Sequence, residues 1–159
     1  MSDEAKEKAS IIVMSGDLDK VMGAFIIANG AAAFDLQVTM FFTFWGLKAI
    51  QKGNLTGKSL MGRMLGLMNR GGVEAIGPSR LNMGGMGRWM FKKMMKEKKV
   101  TPLSVLVRQA KEQGVRLVAC EMSCNVMEIR KEDFIDGVEM GGVATFIAEA
   151  SESKFSLFI

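Results

Sequence analysis

The chain holds two cysteines, Cys120 and Cys124, and no histidine, so its nucleophilic chemistry rests on thiols. A thiol attacks as its thiolate. Cys120 ends the apolar run VRLVA at 115–119, which follows an amphipathic stretch at 102–113 and the turn residue Gly114. After Cys124 comes NVMEIRKEDF, whose Val126, Met127, Ile129 and Phe134 recur at helical spacing. The order reads helix, turn, buried strand, helix, with Cys120 at the last junction. In parallel α/β sheets, chemistry gathers outside the carboxyl ends of the strands, and a following helix favours a thiolate. A cysteine in that place can equally be a small packed hydrophobe, and the residues alone leave both readings open.

Around Cys120 the expectations are specific. Its sulfur should reach a pocket. Cys124, the candidate second thiol, would share a face with Cys120 if the helix has already begun, but C-x3-C is not the redox C-x2-C spacing. Both thiols should be reduced and unbridged. Ser123 could donate a hydrogen bond to the terminal sulfur or simply cap the helix. Glu121 should raise the thiol pKa unless its carboxylate faces solvent. Asn29, Trp45 and Asn82 are candidates for lining the same pocket. Two cysteines without histidine cannot supply the usual zinc or iron–sulfur ligand sets, so no metal and no cofactor are expected.

The elements that must position this cysteine alternate along the chain. Residues 9–14 form a short apolar strand, and Ser15, Gly16 and Asp17 supply a turn and a helix cap. The turn lacks both phosphate-loop patterns, and its carboxylates would repel an anion. Residues 18–34 read as a helix whose Gly23 and Gly30 imply close packing. Residues 37–44 are a second strand, 47–51 a short helix, 141–150 a helix and 155–158 a last strand. Alternation of this kind argues a parallel sheet of about five strands, covered on both faces. With 159 residues, one domain is expected over 1–159. The polar N-terminus lacks the apolar core of a signal peptide, and no apolar run reaches the roughly 18 residues that span a bilayer, which points to the cytoplasm.

Residues 58–99 form a Met- and Gly-rich excursion. It holds eight of the fifteen Met and ten Lys or Arg against Glu74 and Glu97, a local charge of +8 in a chain of +4. Two short amphipathic helices, at 60–70 and 86–99, should flank a Gly-rich loop. Methionine fills core, but a Met-rich face also repacks around partners. Part of it should be buried between subunits, with Met90, Met94 and Leu65 walling the Cys120 pocket and the lysines at the rim. Trp89 and Phe91 interleaved with lysines also suit a membrane surface. No nucleic-acid motif accompanies the basic cluster.

The segments LVACEMSCNVMEI, EDFIDGVEMGGVATFIAEA, FFTFWGL and LNMGGMG together resemble the DsrE/DsrF-like family, in particular its longer DsrE-type sulfurtransferase branch, also labelled peroxiredoxin-like. The resemblance runs from about residue 9 to 159. It implies a three-layer α/β/α sandwich, homo-oligomers (trimers or hexamers), and sulfur relay between donor and acceptor proteins through a cysteine persulfide. Cys120 occupies the position of the family's sulfur-accepting cysteine; Cys124 has no such counterpart. Peroxidase chemistry is not expected, because Val118 and Ala119 stand where a peroxidatic cysteine needs polar neighbours. The reading is therefore a sulfur-relay protein acting through Cys120. The alternative is a non-catalytic binding module whose basic Met-rich region docks a protein partner or a membrane surface.

Overall fold

The computed structural model describes residues 6–80 and 82–159. Five strands form one sheet: β1 (Lys8–Val13), β2 (Gln37–Phe42), β3 (Arg116–Cys120), β4 (Val138–Gly141) and β5 (Ser153–Phe158). Their order is β4-β3-β2-β1-β5, every neighbouring pair is parallel, and all carboxyl ends therefore share one edge. The helices are α1 (Leu18–Ala33), α2 (Leu60–Met68), α3 (Met86–Glu97), α4 (Leu103–Glu112), α5 (Glu121–Val126) and α6 (Val143–Ser151).

Strand alternation sorts the residues onto two faces. Ile11, Val13, Met40, Phe42, Leu117 and Ala119 point to the face covered by α1 and α4, joining Val21, Phe25, Leu106 and Val107 in the main core. Phe41, Val118 and Cys120 point the other way and meet Phe146 of α6 in a smaller cluster. The sandwich has three layers, as expected, but the second helical layer over the sheet centre is thin. It is fastened by charge: Arg116 of β3 donates to Glu149 of α6 (2.8 Å) and to Glu139 of β4 (2.8 Å). Glu139 holds Arg116 in turn, and its carboxyl is thereby lowered from the ordinary value.

The structure corrects several local expectations. Residues 138–140, assigned to no element, and Gly141, expected to open a helix, are the edge strand β4, and the helix begins at Val143. The helix after Cys120 stops at Val126 rather than running on. Ile129 and Phe134 still reach the core, but from a loop and a 3-10 turn at Lys131–Asp133. The second strand ends at Phe42 and gives way to a 3-10 helix, Phe44–Ile50. Gly23 and Gly30 are not close-packing sites, because a Cβ at either would meet nothing within 4 Å. The tight approach is made instead by alanines 24, 28 and 31 on the buried side of α1.

The excursion is tied to the rest of the chain at a few points. The Glu128 carboxylate, in the loop after α5, accepts from the Ser59 N–H (2.7 Å), the Ser59 hydroxyl (2.6 Å) and the Lys58 N–H, which pins the start of α2. Ser59 then caps the helix, its Oγ accepting from the Gly62 N–H. Ser79 donates twice to Asp19 at the start of α1, and Arg88 of α3 donates to the Ala75 carbonyl.

Candidate functional site

Cys120 is the last residue of β3 and the N-cap of α5. The parallel register that sets Phe42 beside Ala119 brings the next residue of the second chain segment, Thr43, level with Cys120. Thr43 is held there by backbone: its N–H donates to the Val13 carbonyl (3.0 Å), and the Gly46 N–H donates to the Met14 carbonyl (2.8 Å). Gly46 is needed for this close approach, since a Cβ there would lie 2.0 Å from the Val13 oxygen. From the other side, one turn into α5, comes Ser123, fully buried, whose hydroxyl is 2.8 Å from that of Thr43.

These groups decide the state of the thiol. Burial pushes the Cys120 pKa up, but hydrogen bonds from the Ser123 hydroxyl and N–H, the Thr43 hydroxyl and the Met122 N–H outweigh it, and the net direction is downward. Each hydroxyl carries one proton, so when one bridges the pair, the other is the one that faces the sulfur. The arrangement is a short relay ending on Sγ. Glu121 is exposed, and the net direction at Cys120 is downward with that carboxylate beside it. Cys120 itself is only 5% exposed, packed among Phe41, Val118 and Phe146. Its sulfur sits beneath the surface rather than in an open cleft.

Cys124 has a different environment. It turns into the main core, 2% exposed, and burial first, then the nearby Cys120 and Glu121, push its thiol up to about 12. Both thiols are free. Of the other candidate residues, the structure brings only Ser123 against Cys120. Asn29 lies on α1, across the sheet, where its amide donates to the Leu106 carbonyl (3.0 Å) and ties α1 to α4. Trp45 lines a cavity of about 700 Å³ with Met14, Lys20, Asn69 and Phe158, and Cys120 is not in its wall. Asn82 packs against Gly77 in the loop before α3. Met90 and Met94 border a cavity of about 260 Å³ beside Ser79 and Phe91, with half of each side chain in solvent.

Thr43 is the residue the sequence reading passed over. Its signal was positional: a hydroxyl one residue past the end of the strand that neighbours the cysteine strand, on the edge where ligands gather. No group of three or more His, Cys, Asp or Glu that could hold a metal ion occurs among the described residues.

A profile of the DsrE/DsrF/DrsH-like family matches residues 5–158. The chain belongs to this family. It is 34% identical over 158 residues to the sulfur carrier protein DsrE2 of Allochromatium vinosum, covering 97% of this chain and 99% of that protein. It is 42% identical over 158 residues to the uncharacterized protein YrkE of Bacillus subtilis, covering 98% and 99%. Among solved structures, the ychN protein of E. coli matches with a TM-score of 0.56 at 12% identity, covering 96% of this chain and 99% of that one. Protein MTH1491 of Methanobacterium thermoautotrophicum matches with a TM-score of 0.59 at 11% identity, covering 97% and 100%. These likenesses place the fold among DsrE-like α/β structures, and family membership supports a role in sulfur relay.

Proposed function

We propose that this protein carries sulfane sulfur as a persulfide on Cys120. The observation that carries the reading is a free thiol at the carboxyl end of β3 and the start of α5, beside the paired hydroxyls of Thr43 and Ser123, with its pKa lowered. The Cys120 thiolate attacks the outer sulfur of a donor protein's persulfide. The donor S–S bond breaks, the donor leaves as its thiolate, and Cys120–S–SH forms with no net oxidation. An acceptor thiolate then attacks the terminal sulfur and returns Cys120 to its starting state. The same N–H and hydroxyl donors that hold the thiolate hold the leaving sulfur in the second step.

The resemblance to a protein described as a sulfur carrier supports this reading. Sulfur donor and acceptor proteins are the partners we propose, the assembly a homo-oligomer, and the location the cytoplasm, where thiols stay reduced. The test is intact-mass measurement after exposure to polysulfide. A gain of about 32 Da that reduction removes, and that is missing in Cys120→Ala, is expected. Absence of the adduct on the wild-type protein would leave Cys120 as a packing residue among Phe41, Val118 and Phe146, and the chain as a binding module.

A further inference from the structure

Two apolar helix faces in the Met-rich excursion have no partner within the chain. α2 rests on its glycine side: Gly62 and Gly66 are buried, and a Cβ at Gly66 would lie 2.4 Å from the Thr56 carbonyl oxygen. At about 100° per residue, Leu60, Met61, Met64, Leu67 and Met68 fall in one arc of about 120° turned away from that contact. All five are exposed, Leu60 at 86%. α3 rests on Gly87, Phe91 and Met95. Its outer side carries Met86, Met90 and Met94, spaced four apart, with Trp89 65% exposed. Large apolar side chains exposed in this number mark a binding face.

Charge decides what binds. The segment carries ten Lys or Arg against two acids, and one of those, Glu74, is already held by Lys92. Lys93 lies over the Trp89 ring, 5.4 Å from its centre, and both Lys93 and Lys96 are exposed beside the methionines. A second copy of this face would set like charges against each other. A surface that is negative outside and apolar beneath satisfies both features at once. No helix among the described residues is long and apolar enough to cross a membrane, so contact is by a face.

We infer that the outer faces of α2 and α3 seat this protein on an anionic lipid bilayer. The Met side chains and Trp89 enter the headgroup layer, and Lys93 and Lys96 meet lipid phosphates. The inference is independent of persulfide chemistry, since no residue of the Cys120 site takes part.

The experiment is co-sedimentation of the full chain with vesicles of phosphatidylcholine, with or without about one-third phosphatidylglycerol, at about 0.1 M and about 0.5 M salt. Binding to the anionic vesicles at low salt is expected, about tenfold weaker at high salt or on neutral vesicles. Met64→Glu with Met90→Glu should weaken it by about tenfold or more, as should Lys93→Glu with Lys96→Glu, both with an unchanged circular dichroism spectrum. Cys120→Ser should bind like wild type. Equal binding to both vesicle types, no binding, or folded variants that bind unchanged overturns the inference. So does loss of a solution oligomer in the Met variant without vesicle capture, which would assign these faces to a second copy.

Discussion

Removing the Thr43 and Ser123 hydroxyls singly and together tests how the Cys120 thiolate is held. The two oxygens are 2.8 Å apart and both hydroxyls lower the Cys120 thiol, so while one proton bridges the pair the other is left for Sγ. In Ser123→Ala the Thr43 hydroxyl is free to turn to the sulfur, and in Thr43→Val the Ser123 hydroxyl is. Each single variant loses only the polarisation that one hydroxyl lends the other, about 10–30% of a bond. A bond to a charged acceptor contributes about 1.5 kcal/mol at the low end suited to sulfur, so the single loss is about 0.2–0.5 kcal/mol, roughly twofold or less in thiolate population. The double variant loses the whole hydroxyl bond, about 1.5 kcal/mol, and roughly tenfold in thiolate. Thiolate ultraviolet absorbance against pH, in a Cys124→Ala background, reads this without requiring a reagent to reach the site. A tenfold loss in either single variant, or a double variant equal to the product of two small effects, refutes the relay.

Other outcomes follow from neighbouring contacts. Cys124 keeps its proton up to about 12 in the folded chain, whereas the unfolded thiol ionises near its ordinary 9.0. The folded state therefore binds the extra proton in that window, and stability should fall as pH rises through it; urea unfolding should show a flatter alkaline slope for Cys124→Ala. Asp133, 2% exposed, accepts from the Asn54 amide (2.7 Å) and the Arg130 N–H (2.8 Å). Burial raises its carboxyl, these donors and the Arg130 charge lower it further, and the net is downward. Its contribution is present above the unfolded carboxyl range and is lost as pH falls through the folded value; Asp133→Ala should cost about 2–4 kcal/mol in denaturant titrations at neutral pH and less in acid. Gly66→Ala should destabilise by about 1–3 kcal/mol because its Cβ meets the Thr56 oxygen, while Gly23→Ala, with open space around it, should stabilise by about 0.5–1 kcal/mol in thermal unfolding.

The cysteine junction was legible because its neighbours are strong local signals: an apolar run of strand length, then polar residues at a helix start. β4 was not, since VEMG is four residues with one acid, and only pairing of its backbone with β3 makes it a strand. Thr43 was hidden for a related reason. Its role depends on which strand lies beside β3 and in what register, and neither is written in the residues around it. The buried face of the 3-10 helix was also unreadable locally: Lys48 is 2% exposed despite its charge, and burial pushes its pKa down. Periodicity at 3.6 residues does not describe a 3-10 turn, so FWGLKAI gave no usable face. Gly23 and Gly30 misled because a glycine in a helix signals close packing only when something stands opposite it.

The donors around Cys120 come from chain segments 80 residues apart and meet only once β2 and β3 lie side by side. An unfolded or half-folded chain has two ordinary thiols and no special one. Nucleophilic strength at this position is thus a property of the finished sheet, and a molecule that has not assembled it offers a donor persulfide a poorer acceptor. On the proposed persulfide chemistry, quality control would be built into the reaction: newly made or damaged copies would drop out of sulfur traffic by being chemically dull, without any separate factor to recognise them.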